Sequence, residues 1–229
     1  MARKQAVPSE TTEAESPQDR SRQNILEVAT REFSEKGLAG ARVDEIAERT
    51  NTSKRMIYYY YESKEGLYRA VLEKVYEQIR LIESAIDIEG LSPEDALREL
   101  VRVTFDWHHK HPDFVRLVMN ENIHQGEHLG AMPIIKSRRQ TIVDLLRKLL
   151  ARGAKAGRFR GDIDPIDLHM SISALCFYNV SNRHTFSRIF ERDMTSPKAV
   201  AARRDIIVDT ILRWCLKDLP PAAKGASRA

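Results

Sequence analysis

The chain has 229 residues, of which 42% are hydrophobic and 31% are charged, and its formal net charge at pH 7 is +4. This composition is ordinary for a soluble globular protein, and no run of about 18 apolar residues predicts a membrane span. The N-terminal segment lacks the apolar stretch of a secretory signal. We therefore expect a cytoplasmic protein with no membrane partner, whose modest positive charge permits nucleic-acid binding without demonstrating it.

Both ends of the chain differ in composition from the rest. Residues 1–20 and 220–229 are rich in small, polar and proline residues, which predicts a disordered N-terminal arm and a flexible tail. Between them, apolar residues recur at helical spacing, and no alternating strand pattern is convincing. The sequence predicts an all-α fold of about nine helices.

The first predicted helices are a longer one over residues 21–36 and a short one over residues 43–49. Gly37 fits the C-terminal stop of the first helix, because glycine readily adopts the left-handed conformation found there.

A tight turn and two further helices follow. Asn51 tolerates the left-handed backbone that a tight turn between helices requires. Ser53 can cap a third helix over residues 54–60, and Ser63 can cap a long fourth helix.

Several later helices have clear starts, because Ser92, Asp164 and Ser196 each precede a proline. A capping residue followed by proline is typical of the first helical position. The later helices are predicted near residues 93–110, 112–122, 133–153, 165–184 and 197–217.

Two short helices joined by a tight turn, after a longer supporting helix, predict a helix-turn-helix unit. The second short helix of such a unit lies in the DNA major groove. Tyr58–Tyr61 are four consecutive tyrosines, so a helix must direct at least one or two of them outward. Arg42 and Lys64 flank the unit, and each can neutralise a phosphate.

The segment that carries this pattern is recognisable as a whole. Residues 25–72 read ILEVATREFSEKGLAGARVDEIAERTNTSKRMIYYYYESKEGLYRAVL. A helix that ends at a glycine, a short DEIA helix, SK followed by tyrosines, and SKE appear in order and at matching spacing. The segment resembles the N-terminal DNA-binding domain of the TetR/AcrR family of transcriptional regulators.

The resemblance implies a helix-turn-helix domain over residues 21–66 and an effector-binding and dimerisation domain over residues 67–219. It implies a ligand-responsive regulator, commonly a repressor, that binds a palindromic double-stranded DNA operator as a dimer and is released by a small molecule. The residues implied to contact or flank DNA are Arg42, Ser53, Lys54, Arg55, Met56, Tyr58, Tyr59, Tyr60 and Lys64. The residues implied to form the domain core are Ile46, Ala47, Ile57 and Tyr61.

The segment departs from the usual family pattern at two places. Asn51 and Thr52 stand where glycine and valine are common, and Arg55 and Met56 replace a commonly smaller pair. We therefore expect an operator preference unlike the family average.

In the family, the last two long helices form the dimer interface, which here implies homodimerisation through residues 165–184 and 197–217. Both segments are strongly apolar. One stripe contains Leu168, Ile172, Leu175, Cys176 and Val180, and the other contains Ile207, Ile211, Trp214 and Cys215. We favour a four-helix interface across a two-fold axis. The alternative is that these stripes form the core of a single subunit.

A small-molecule site is expected to be an apolar cavity with a few polar groups. Aromatic and polar side chains suited to such a site cluster in residues 105–128 and on the penultimate helix. The candidate ligand-binding residues are Trp107, His108, His111, Phe114, Asn122, His124, Phe177 and Tyr178. The alternative is that the aromatic residues are core and the histidines lie partly exposed at helix ends.

An enzyme is the less favoured interpretation. His124, Glu127 and His128 match the H-x-x-E-H pattern of one zinc protease group, but Gly126 and Gly130 weaken the helix that this pattern needs. An incidental or regulatory metal site among the histidines, and a scaffold protein that lost operator binding, stay open. We expect no catalytic residue, no metal and no cofactor.

Overall fold

The computed structural model describes residues 16–86, 89–130 and 132–218, and these residues form ten helices. Across these ranges there is no strand, only an isolated antiparallel bridge between Phe159 and Leu216. The helices are α1 (Pro17–Gly40), α2 (Val43–Arg49), α3 (Lys54–Tyr61), α4 (Lys64–Ser84), α5 (Pro93–Lys110), α6 (Pro112–Ile123), α7 (Pro133–Lys155), α8 (Pro165–Ser181), α9 (Arg183–Ile189) and α10 (Pro197–Cys215). The all-α prediction is confirmed. There is one helix more than expected, because the backbone leaves helical geometry at Asn182 and separates α8 from α9.

The start of the first helix corrects the sequence prediction. α1 begins at Pro17 rather than residue 21, because the Ser16 hydroxyl accepts a hydrogen bond of 3.1 Å from the Asp19 N–H. Residues 17–20 were predicted to be disordered and are helical, while residues 1–15 and 220–229 lie outside the described residues. Regular geometry breaks at Gly37, where φ is 68°, close to the predicted stop.

The predicted caps hold at two later helices and differ at a third. The side chains of Ser92 and Asp164 accept hydrogen bonds from the first turns of α5 and α8. Ser196 precedes α10 without such a bond. The Asp193 carboxylate accepts instead from the backbone N–H groups of Thr195 (2.8 Å) and Ser196 (3.2 Å).

Two apolar clusters hold the helices together. The first joins α1–α4 to the end of α5 and to α6. The second joins α5, α7, α8 and α10. α6 packs against both α1 and α8, so it connects the N-terminal helices to the C-terminal ones.

The two stripes that we favoured as a dimer interface are mostly intramolecular core. Leu168, Ile172, Cys176 and Val180 are buried within the chain, as are Ile207, Ile211 and Cys215. Other apolar residues of the same helices are exposed: Ile166, Met170, Tyr178, Ile206 and Trp214. The expectation was therefore wrong for these seven buried residues, because the buried face of each helix packs on its own subunit. It stays a prediction for Leu175, which is half-buried, and for Trp214, which is exposed.

Both cysteines are buried as free thiols, and burial raises the pKa of Cys176 and of Cys215 to about 12. Within the described ranges, no helix is long and apolar enough to cross a membrane.

Candidate nucleic-acid interface and ligand cavity

A tight turn orients α3 against α2. Asn51 adopts φ 50°, in the left-handed region, and the Thr52 N–H donates to the Ala47 carbonyl at 3.0 Å. The Ser53 hydroxyl then accepts from the Met56 N–H at 3.2 Å and caps α3. Ser53 thus orients α3, the second short helix of the helix-turn-helix unit, which we call the recognition helix. The predicted role of Ser53 near DNA stays a prediction.

α3 has one buried face and one open face. Ile57 and Tyr61 are buried, and the Tyr61 hydroxyl donates to the Arg22 carbonyl at 3.1 Å. Tyr60 is half-buried, with the Arg22 guanidinium 5.7 Å from its ring centroid. The exposed face carries Lys54, Arg55, Met56, Tyr58 and Tyr59, of which Tyr59 is 73% exposed. This face has the cations and flat hydroxyl-bearing rings that suit contact with phosphate and base edges.

The two predicted flanking cations lie at either end of this unit. Arg42 is exposed just before α2. Lys64 is half-buried at the first position of α4, where its Nζ donates to the Ala39 carbonyl at 3.3 Å. Lys54 pairs with Asp44 at 2.9 Å, which raises the pKa of the Lys54 ammonium. A phosphate must therefore compete with Asp44 for Lys54.

The sequence reasoning missed Glu32, a buried carboxylate that holds α1 to α2. Its oxygens lie 2.8 Å from Lys36 Nζ and 3.4 Å from Arg49 Nη1, and one accepts from the Arg42 N–H at 3.3 Å. This network fixes the backbone at Arg42, so a buried acid positions an exposed cation. A single acidic residue on a helix gives no sequence signal for this role.

Gly66 allows α4 to start close to α3. A Cβ at this position would lie 2.0 Å from the Tyr61 carbonyl oxygen, which is inside van der Waals contact. The side chain of Ser63 accepts from the Gly66 N–H at 2.9 Å. The recognition helix is therefore fixed rigidly to the first turn of α4.

A cavity of about 170 Å³, which we call the central cavity, is surrounded by the five helices from α4 to α8. Three of the predicted ligand residues line it: His108, Phe114 and Phe177. The other lining residues were not predicted as ligand contacts: Tyr76, Ile79, Leu100, Thr104, Val118, Ile142, Leu146, His169, Ile172 and Ser173. Their apolar spacing is the same as that of ordinary core, so the sequence did not distinguish them.

The remaining predicted ligand residues do not line this cavity. Trp107 is buried and packs against the rings of His111 and Phe114, with centroids 4.7 and 4.6 Å apart. Asn122 and His124 are exposed, and each bonds to a carbonyl one turn earlier in its own chain. Tyr178 lines a different cavity.

The H-x-x-E-H segment does not form the helix that the zinc hypothesis needed. Residues 124–130 are turns, in which Gln125 and Gly126 have positive φ. His128 Nδ1 lies 3.1 Å from the buried Glu121, which also accepts from the Tyr68 hydroxyl at 2.9 Å. Among the described residues, no group of three or more potential metal ligands was found.

Comparison with known proteins agrees with this geometry. Residues 25–71 match the family described as bacterial regulatory proteins, tetR family, and residues 93–211 match the tetracyclin repressor-like C-terminal domain. The chain is 37% identical over 195 residues to the HTH-type transcriptional repressor NicS of Pseudomonas putida, covering 85% of this chain and 92% of that protein. The chain belongs to the tetR family.

Other relatives of this tetR-family protein are more distant. The HTH-type transcriptional regulator RutR of Escherichia coli K12 is 31% identical over 150 residues, covering 66% of this chain and 69% of that protein. The structure of the regulator SCO4942 from Streptomyces coelicolor has a TM-score of 0.63 and 29% identity, covering 83% and 96% of the two chains. The regulator KstR2 of Mycobacterium tuberculosis has a TM-score of 0.65 at 20% identity, covering 87% and 96%, and shows the shared fold. The tetR-family protein is therefore a transcription regulator and not an enzyme.

Proposed function

We propose that this tetR-family protein represses transcription by binding a palindromic operator as a homodimer, and that a small molecule in the central cavity releases it. The observation that carries the proposal is the course of α4. This helix places Lys64 beside the recognition helix and, about three to four turns later, places Tyr76 and Ile79 in the cavity wall. The two sites are separated by about 20 Å of one continuous helix.

The exposed face of α3 supports operator binding, which we propose takes place in the cytoplasm. Arg55, Tyr58 and Tyr59 are exposed, and Arg42 and Lys64 lie on either side. A recognition helix that enters the major groove with phosphate contacts at both ends has this arrangement. We propose that nine residues contact or flank DNA in this way: Arg42, Ser53, Lys54, Arg55, Met56, Tyr58, Tyr59, Tyr60 and Lys64.

The uncovered face of α8 and α10 supports a homodimer. Ile166, Met170 and Ile206 are each at least half exposed in the isolated chain. When a second copy covers large apolar side chains on two adjacent helices, the removal of this surface from water stabilises the dimer. A two-fold dimer would present two recognition helices about 34–36 Å apart, one turn of DNA.

The chemistry of the central cavity indicates the class of effector. Its described walls are mostly apolar, with Tyr76, Thr104, Ser173 and two histidines as polar groups, and no lysine, arginine or acidic residue is among the described lining residues. A charged ligand would lose hydration there without an opposite charge to replace it. We therefore propose a small, uncharged, largely apolar effector with one or two hydrogen-bonding groups.

The DNA part of the proposal is tested with DNA that flanks the protein's own gene, because such regulators often bind there. Wild-type protein should select a fragment with two symmetric half-sites, and inserting about 5 base pairs between them should abolish binding. The Arg55→Ala, Tyr59→Ala double variant is the matched control and should fold normally but lose selection. No preference over random DNA would favour a scaffold that has lost operator binding.

The effector part is tested by screening small uncharged compounds for release of the operator complex. Ser173→Leu narrows the cavity and should weaken each active compound by about tenfold or more. Ser187→Leu on α9, which does not line the cavity, is the control. Release that is unchanged in Ser173→Leu would contradict the proposed location.

A further inference from the structure

We propose that the protein has a second small-molecule site, separate from the central cavity, that binds a small organic carboxylate. The site lies between the C-terminal end of α8, α9 and the first turns of α10, and encloses about 200 Å³. It shares no lining residue with the central cavity. The inference therefore goes beyond the proposed effector release.

Asn179 is the first observation that points to a ligand. It is 4% exposed and lines this cavity, yet its side-chain amide forms no hydrogen bond with any residue in the described part of the chain. An amide carries two N–H donors and one acceptor, so Asn179 can bond to a polar ligand that enters the cavity.

The charge of the cavity wall selects an anion. Arg203, which is half-buried, and Arg192, which is exposed, both line it, and neither forms an ion pair with a described residue. The one acidic residue in the wall, Asp193, already accepts hydrogen bonds from the backbone and hydroxyl of Thr195 and from the Ser196 N–H. These bonds lower the pKa of Asp193 to about 2 and direct its carboxylate toward the start of α10. Asp193 stays negatively charged, but two arginines against one aspartate leave the wall with a net positive charge. The guanidinium groups can bind a carboxylate in a planar, two-bond geometry.

The rest of the wall is apolar and aromatic. The rings of Tyr178 and Phe186 meet edge to face, with centroids 6.4 Å apart, and Met194 and Ile206 complete the surface. A ligand with a compact apolar group and a carboxylate at one end matches this division. Tyr178 and Ile206 also belong to the exposed face that we propose for dimerisation, so the site lies at the edge of the subunit contact.

The experiment measures binding of benzoate, phenylacetate and hexanoate to the full-length dimeric protein by calorimetry, with benzamide as the uncharged counterpart of benzoate. At least one carboxylate should bind saturably, and benzamide should bind about tenfold more weakly or worse than benzoate, because it cannot pair with the arginines. Arg203→Gln should cost about tenfold, and Asn179→Leu about fivefold, in carboxylate affinity.

Two matched variants distinguish this site from the central cavity and from general electrostatic attraction. Lys198→Gln removes an exposed charge from α10, the helix that carries Arg203, but Lys198 does not line the cavity. This variant should change carboxylate affinity by less than about twofold. Ser173→Leu alters only the central cavity and should leave carboxylate binding unchanged. Operator affinity without ligand should be the same in Arg203→Gln as in wild type, so failure here is distinct from failure of the proposed DNA function.

Three results would overturn the inference. The first is that none of the three carboxylates binds saturably. The second is that Lys198→Gln and Arg203→Gln weaken binding equally, which would indicate general electrostatic attraction. The third is that only Ser173→Leu abolishes binding, which would place the carboxylate in the central cavity.

Discussion

The Tyr68 hydroxyl donates a hydrogen bond of 2.9 Å to Oε1 of Glu121, and this contact joins α4 to the C-terminal end of α6. Both residues are buried, and the Tyr68 ring also meets Phe33 of α1 edge to face, with centroids 5.1 Å apart. α6 carries Phe114 and Val118 in the wall of the central cavity. The pair therefore lies where the cavity helices meet the helices that position the recognition helix.

Tyr68→Phe removes one hydrogen bond from a buried carboxylate and should reduce the free energy of unfolding by about 1–3 kcal/mol. The ring packing is retained, so the change isolates the hydroxyl. Urea denaturation of Tyr68→Phe and of Tyr59→Phe measures the effect, because Tyr59 is exposed and should tolerate the same change. Equal stability of the two variants would mean that Glu121 is satisfied without Tyr68.

Lys64→Ala should weaken binding to operator and to random DNA alike. A phosphate contact carries no sequence information, so its loss should lower the slope of log affinity against log salt by about one. Fluorescence anisotropy over a range of salt concentrations measures the slope. Lys148→Ala, an exposed lysine on α7, should leave the slope unchanged. An unaltered slope in Lys64→Ala would remove Lys64 from the phosphate contacts.

Arg55→Ala should cost about 1–3 kcal/mol on the operator and less on random DNA, because an arginine on the exposed face of α3 can bond to a base edge. The ratio of the two affinities is the measured quantity. If both affinities fall by the same factor, Arg55 contacts only the backbone of the DNA.

Met170→Glu should dissociate the homodimer, because it would place an unpaired carboxylate in the proposed interface of α8. We expect the dimer to weaken by about a hundredfold or more in sedimentation equilibrium. Ile123→Glu is the matched control, since Ile123 is 72% exposed at the end of α6, outside the two helices of the proposed interface, against 61% for Met170. A dimer that persists in Met170→Glu would place the interface elsewhere.

The Asp193 cap of α10 should give a pH-dependent contribution to stability. Hydrogen bonds from Thr195 and Ser196 favour the charged form and lower the pKa of Asp193 from 3.8 to about 2. Wild type should therefore be more stable than Asp193→Ala above the ordinary pKa, and this difference should decline as the pH falls from about 4 towards 2. Urea denaturation between pH 3 and 7 measures it. A difference that stays constant with pH would exclude the charge as its cause.

The local part of the fold could be predicted from the sequence because its signals are short-range. Asn51 and Ser53 determine the turn and the cap through their own backbone and side-chain geometry, so the bounds of α2 and the start of α3 agree with prediction. Ser16 and Pro17 carry the same kind of signal as Ser92 and Pro93, but the polar composition around them favoured disorder.

The ligand residues were harder to predict, because a cavity wall and a core stripe have the same apolar periodicity. Ile172 was assigned to a dimer stripe and lines the central cavity, while Tyr178, one position after the cavity residue Phe177, faces a different cavity. Successive helical residues differ by about 100° in direction, so only the packing of neighbouring helices decides which space each one meets.

The sequence by itself determined nine of the ten described helices, the caps of α3, α4, α5 and α8, and the helix-turn-helix unit, because propensity, capping and turn chemistry act over a few residues. Only the tertiary structure decided which apolar faces are buried within the subunit, which residues surround each cavity, and that Glu32 and Glu121 are buried. Those properties depend on contacts between residues far apart in the chain, such as Tyr68 and Glu121, whose energies no local pattern records.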